Sequence, residues 1–179
     1  MTRPRMKGGV TPARVSTWAS AGAVGVVLLL ASLVQFVRLA RWRGWQTASD
    51  RLVLILHVGY LWVPIGLALL GASLLALPIP RSAAIHALTA GAMATMILAV
   101  MTRATLGHTG RALTASGLTQ VSYLLVTVGA VVRVLSSLGM VSYRAGMEVA
   151  GTLWIGAFVL FLIAYGPMLI GARADRAPG

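Results

Sequence analysis

Five stretches of the sequence are apolar over more than about 20 residues each, the length that a helix needs to cross the hydrocarbon core of a bilayer. Because that core holds no water to satisfy backbone amides, each stretch is expected to bond its peptide groups internally as a helix. The sequence therefore predicts an all-α fold, a polytopic transmembrane bundle of about five helices. The predicted spans are approximately Val15–Val37, Leu52–Leu77, Ala83–Thr105, Ser116–Leu138 and Val149–Ile170.

Composition excludes an ordinary soluble domain. Only 10% of the 179 residues are charged and the mean hydropathy is +0.87, whereas soluble domains carry about a quarter charged residues. The net charge of +12 does not predict nucleic-acid binding, because the basic residues lie singly or in short groups between apolar runs, without an aromatic stacking motif. Membrane lipid is the expected surrounding.

The sequence divides into three regions. Residues 1–14 form a basic tail with glycine and proline, residues 15–172 the transmembrane domain, and residues 173–179 a C-terminal tail. The first apolar run is too long for a signal peptide and precedes the Arg-rich RLARWRGW, which favours an uncleaved span. If the predicted spans alternate in direction, eight Lys and Arg residues lie on one side of the membrane and seven on the other. Without the N-terminal tail the count is eight against three, which places the C-terminus in the cytoplasm.

The side chains available for chemistry are few. The chain has no cysteine, and its only carboxylates are Asp50, Glu148 and Asp175. Disulfides, thiolate metal sites and covalent haem attachment are thereby excluded, and a two-carboxylate hydrolysis is not expected. Any metal or haem has to be held by His, Met, Tyr or carboxylate side chains, and no pattern indicates catalysis.

The three histidines are His57, His86 and His108. Ionisable side chains at membrane depth are costly, so they tend to face a bundle interior and to have a partner there. His86 and His108 lie 22 positions apart, which is about 33 Å along a helix, so they cannot share a metal within one chain. His57 with His108 is the feasible pair. The alternative for each is an imidazole that only hydrogen-bonds a neighbouring helix.

The third span has a stripe of polar and sulfur-bearing residues at helical spacing. Met93 and Met96 are three positions apart, which allows both sulfurs to approach one soft ion such as Cu(I), with His86 one to two turns away. Ordinary packing is the more frequent role of membrane methionines. The stripe comprises Ser82, His86, Thr89, Met93, Met96, Val100, Arg103 and Gly107.

The end of the third span, VMTRATLGHTGR, combines glycine, histidine and arginine. Gly107 and Gly110 free the backbone to leave the helix beside Arg103, His108 and Arg111, a chemistry suited to an anionic group such as a haem propionate. Arginines that only extend to the membrane interface are the alternative.

The fourth span carries a similar polar stripe that includes Gln120, Tyr123 and Thr127, and we expect it to face the third helix. His57 and Tyr60 share one side of the second span. These faces are expected to enclose a polar, histidine-bearing pocket, and the alternative is a hydrogen-bonded bundle without a ligand.

The blocks IHALTAGAMATMILAVMTRATLGHTGRAL, LHVGYLWVPIGLALLG and RLARWRGWQT resemble the C-terminal part of the NnrS family, over residues 24–170. The members of this family are bacterial haem- and copper-containing membrane proteins linked to the nitric-oxide response and denitrification. The resemblance implies a multi-pass protein of the bacterial inner (plasma) membrane that binds haem b and copper. It also implies that the histidines are haem or copper ligands. The matching motif positions are His57, His86, His108, Arg103 and Arg111.

The chain differs from the family in lacking a histidine-rich N-terminal half. A partner chain is therefore expected to supply that half if the protein is split. The alternative function is a truncated or split fragment that acts as an interaction module without a cofactor. A small transporter is disfavoured, because the predicted spans contain no embedded carboxylate for ion coupling and no internal repeat.

Overall fold

The computed structural model describes the backbone of residues 12–174 and the side chains from residue 21 onward. Within this range five helices are long and apolar enough to cross a membrane, and no strand is present. This confirms the all-α fold and the number of spans. Residues 1–11 and 175–179 of the two predicted tails lie outside it. The helices are α1 (Pro12–Arg41), α2 (Arg51–Leu74), α3 (Arg81–His108), α4 (Gly117–Ser137) and α5 (Tyr143–Ile170).

Local sequence signals set several helix ends. Asp50 caps α2, because its carboxylate accepts hydrogen bonds from the amides of Leu52 at 3.0 Å and Val53 at 3.2 Å. α3 ends at His108, and the chain turns at Gly110, whose φ of 69° is one that glycine adopts without strain. The amide of Arg111 then reaches back to the Leu106 carbonyl at 2.9 Å, which closes a Schellman motif.

α1 packs on α2 through a narrow seam. The backbones approach closely at Gly25 and Gly71, where a Cβ added to Gly71 would lie 2.8 Å from the Gly25 carbonyl oxygen. The buried Ser32 hydroxyl donates to the Pro64 carbonyl at 2.8 Å. Small residues and interhelical hydrogen bonds are what hold helices together in lipid, where apolar surface alone gives little driving force.

Ser32→Ala is expected to lower the free energy of unfolding by about 0.6 kcal/mol, the average for interhelical hydrogen bonds in a membrane protein. Unfolding in mixed detergent micelles measures the change. Ser137→Ala is the control, because the Ser137 hydroxyl donates to the Arg133 carbonyl of its own helix at 3.1 Å. Equal losses in the two variants would contradict an interhelical role for Ser32.

α3 lies at the centre of the bundle and is not a uniform α-helix. Its segment Ala87–Met93 is a π-helix between two α-helical parts. The buried face of α3 is made mainly of small residues, which allow close packing against α2 and α4. The buried positions include Ala83, Ala84, Ala87, Gly91, Ala92, Ala94, Thr95, Ala99 and Thr102.

α4 bonds to both of its neighbours through buried hydroxyl groups. The Tyr123 hydroxyl bonds Thr102 of α3, which confirms that part of the polar stripe faces the third helix. Toward α5, Ser122 donates to the Ala157 carbonyl at 2.6 Å, and the hydroxyls of Thr119 and Tyr165 lie 2.8 Å apart. The sequence did not predict these contacts with α5, which fix α4 and α5 as a closely packed pair.

Candidate functional site

A cavity of about 380 Å³ lies between α1 and α2, next to the short 3₁₀-helix Gly44–Thr47 that connects them. We call it the His57 cavity. His57 is the one ionisable side chain on a wall that is otherwise almost entirely apolar. The apolar wall includes Phe36, Leu39, Trp45, Val58 and Leu61.

The imidazole of His57 is held in a defined tautomer. Its Nδ1 lies 3.0 Å from the Val53 carbonyl oxygen, one turn earlier in α2. Because a carbonyl only accepts hydrogen bonds, Nδ1 carries a proton, and in the neutral imidazole Nε2 is then the nitrogen with the lone pair. Histidines that ligate metals use this arrangement, in which a second-shell carbonyl fixes the ring and raises the basicity of the free nitrogen.

Aromatic and backbone contacts also restrain this ring. Trp42 meets the His57 ring edge-on, with 6.2 Å between centroids, and packs on Tyr60 at 4.8 Å. Gly44 allows the chain to pass the imidazole, since a Cβ at that position would lie 2.7 Å from the Cδ2 atom of His57. The half-buried His57 is therefore held between α2 and the connection that follows α1, which contributes Trp42 and Gly44.

The expected pocket between the second, third and fourth spans is present only in part, as a cavity of about 270 Å³ between α2 and α4 that has Gln120, Tyr123 and Thr127 on its wall but no histidine. His57 lies in the cavity shared with α1, and the Tyr60 hydroxyl on the same side donates to Gln35 of α1 at 2.6 Å. The reason is the α1 seam, which provides partners for this polar side of α2. The fourth span instead satisfies its hydroxyl groups with α3 and α5.

The predicted propionate-binding stretch lies at the end of α3. Arg103 and His108 are exposed, and Arg111 is half-buried with its Nη1 atom 3.4 Å from the Thr109 carbonyl. Gly107 stays helical, so only Gly110 releases the backbone as expected. None of these residues lines the His57 cavity, and the pairing of His57 with His108 stays a prediction.

The residues of the predicted copper stripe are dispersed. Met93 is 59% exposed, on the side of α3 that faces Trp154 of α5. Met96 contacts α2, where its Sδ atom would lie 2.8 Å from a Cβ added to Gly59. His86, at the other end of α3 from His108, is half-buried and close enough to Arg133 for an electrostatic interaction.

These positions bear on the copper prediction. Met93 and Met96 do not face one common point, and the described residues contain no group of three or more His or carboxylate side chains that could hold a metal. The expectation that the stripe forms one inward face is wrong, because α3 presents its small residues to the bundle. Copper binding stays a prediction.

Sequence reasoning missed the partners of His57. Trp42, Gly44 and Trp45 belong to the block RLARWRGWQT, whose aromatic residues lie at the end of a predicted span and close to the next histidine-bearing span. The i−4 carbonyl of Val53 is available to any histidine on a helix. Together these signals would have pointed to the α1–α2 side of His57.

One of three comparisons with known proteins found a match. No curated protein and no solved structure matches the chain. A family model described as NnrS protein matches residues 8–173, a longer range than the 24–170 expected from the sequence motifs. The match covers His57, the π-helical segment and the end of α3, and the chain therefore belongs to the NnrS family.

Proposed function

We propose that this NnrS family member binds haem b in the membrane, with His57 as a ligand, and takes part in the nitric-oxide response linked to denitrification. The observation that carries the proposal is the hydrogen bond from His57 Nδ1 to the Val53 carbonyl, beside an apolar cavity. We place the protein in the bacterial inner membrane, as a multi-pass protein with five spans among its described residues.

The chemistry of the cavity suits haem better than a bare metal ion. A macrocycle is large and apolar and requires one nitrogen donor from its proximal side, which the free Nε2 of His57 supplies. A copper ion requires several donors close together, and the cavity contains a single histidine. When bound, haem would supply an iron atom able to bind a diatomic ligand such as nitric oxide.

Charge at this end of the molecule supports the same proposal. The guanidinium carbon of Arg38 lies 4.9 Å from the centre of the Trp42 ring, whose edge packs on His57. Arg41 and Arg43 follow at the same end of α1. These arginines provide a positive rim for the two propionates of haem, in addition to the predicted Arg103 and Arg111.

We also propose that the protein binds copper, which requires ligands in addition to those that the described residues bring together. Here the predicted partner chain, which would supply the N-terminal half of the family, is the source of further ligands. His86, Met93 and Met96 would then contribute singly to shared sites.

His57→Ala is expected to lose at least about nine-tenths of the bound haem, because the substitution removes the bond that His57 would make to the iron. The full chain is purified in detergent and titrated with haem, and the Soret band is recorded. Exogenous imidazole is expected to restore the band, because the truncated side chain leaves room for it in the cavity.

His86→Ala is the matched control, because His86 lies near the opposite end of the bundle and outside the His57 cavity. It should retain the band. His108→Ala tests the predicted second ligand. A wild-type protein that gives no Soret shift, or a His57→Ala protein that keeps the wild-type spectrum, would refute the proposal.

A further inference from the structure

A second apolar depression lies between α3 and α5, well separated from the His57 cavity. It consists of two cavities of about 410 Å³ and 440 Å³ that share Ala90 and Trp154 on their walls. We call it the α3–α5 groove. One end is formed by Arg133, Gly151 and Ile155, and the other by Met93, Ile97 and Phe158.

The groove exists because α3 and α5 diverge at one end. They pack together along the Ala94–His108 part of α3. The π-helical segment Ala87–Met93 has no comparable packing with α5, and the floor there is formed by Gly129 of α4. The groove extends along α3 from Ala90 to Ile97, a rise of about 10 Å for seven helical residues.

Arg133 places a positive charge at one end of this apolar surface. Its Nη1 atom is buried and has no hydrogen-bond partner among the described residues. The guanidinium carbon lies 5.5 Å from the centre of the Tyr143 ring, a contact that leaves the in-plane N–H donors unused. A buried donor of this kind costs free energy unless an acceptor is present.

The described carboxylates do not neutralise this charge. Asp50 caps α2, and Glu148 pairs with the exposed Arg144 at 3.1 Å. Arg133 lies four positions before the end of α4 at Ser137, which places its guanidinium near a membrane face. The missing acceptor is therefore expected to come from outside the chain, at the depth where lipid headgroups lie.

We propose that the α3–α5 groove binds an anionic phospholipid, with its phosphate on Arg133 and one acyl chain along Ala90, Trp154 and Phe158. Arginine matches a phosphate in geometry as well as charge. The apolar walls of the groove distinguish this ligand from a soluble anion, which has no alkyl chain to fill the space.

The test measures lipid binding to the full chain in uncharged detergent by native mass spectrometry. Phosphatidylglycerol and phosphatidylcholine with identical acyl chains are titrated separately. Phosphatidylglycerol is expected to bind about tenfold more tightly, because the choline cation of phosphatidylcholine offsets the attraction between its phosphate and Arg133. Arg133→Gln should abolish this preference. Arg144→Gln, at the same end of the bundle and exposed, should keep it.

A second variant tests the groove without changing its charge. Gly151 lines the groove, and a Cβ added there meets nothing within 4 Å, so Gly151→Leu places an apolar side chain in the space proposed for the lipid. This substitution is expected to weaken the binding of both lipids by a similar factor. Equal binding of the two lipids by the wild type, a preference that persists in Arg133→Gln, or an unaffected Gly151→Leu would each overturn the proposal. The proposal would also be overturned if inorganic phosphate displaced phosphatidylglycerol at equal concentration.

Discussion

Gly91→Ala is expected to lower the free energy of unfolding by about 2 kcal/mol, the middle of the range for overpacked cores. Gly91 lies in the π-helical segment of α3, directly against the indole of Trp62 in α2. A Cβ there would overlap three carbon atoms of the indole, and Trp62 is itself only 8% exposed. A rigid bicyclic side chain has no small rotation that would relieve this overlap, so the two helices have to separate.

Gly107→Ala is the matched control in the same helix. Gly107 is exposed, and an added Cβ meets nothing within 4 Å. Unfolding in mixed detergent micelles, followed by circular dichroism, compares the two variants. Since both gain the same helix propensity, a Gly91→Ala protein as stable as Gly107→Ala would show that α2 and α3 do not pack as described.

Gly71→Leu is expected to detach α1 from α2 and, as a consequence, to remove most of the haem binding proposed for His57. The added side chain would meet the Gly25 carbonyl oxygen and Leu29 across the seam. Gly71 lies 14 positions from His57, about 21 Å along the helix, so the substitution touches no residue of the cavity. Phe36 and Leu39 of its wall belong to α1 and would move with it.

The cysteine-free sequence offers a direct readout of this separation. A cysteine introduced at the buried Ser32 should react slowly with a membrane-permeant maleimide and at least about tenfold faster when Gly71→Leu is added, because the site opens. Gly22→Leu is the control on α1, since its side chain points into open space. Unchanged labelling and unchanged haem binding in Gly71→Leu would contradict the close packing of α1 on α2 at Gly25 and Gly71.

The number and placement of the spans could be predicted because the length of an apolar run in a membrane protein follows directly from bilayer thickness. The ends of the helices were predicted less accurately than their number. α5 begins at Tyr143, earlier than the predicted Val149, because Arg144 and Glu148 pair with each other on the exposed surface and do not interrupt the helix. Charge within a helix end is tolerated where it faces water or headgroups.

The arrangement of the candidate site was not predictable from helical spacing. The stripe through His86, Met93 and Met96 assumes 100° per residue, but the π-helical segment lies between these positions and changes the angle. The expectation that polar residues face inward also fails at Thr89, which is exposed, although other threonines of α3 are buried. Thr89 and Thr109 bond carbonyls of their own helix and need no partner across the bundle.

His57 is the histidine whose surroundings the structure defines most fully. Its position in a span and its family motif marked it as a ligand candidate, and the structure adds the tautomer and the apolar wall. The direction in which the ring faces depended on α1, whose seam is set by Gly25 and Gly71. Two glycines 46 positions apart carry no signal of mutual contact in a single sequence.

The origin of the cavity walls has a consequence for biogenesis. Every residue that lines the His57 cavity belongs to the range Phe36–Leu61, which is one helical hairpin. This hairpin is synthesised and inserted before the other three described spans leave the ribosome. If haem binds as proposed, its capture does not have to wait for the complete bundle, and the bound macrocycle would bridge α1 and α2 while translation continues.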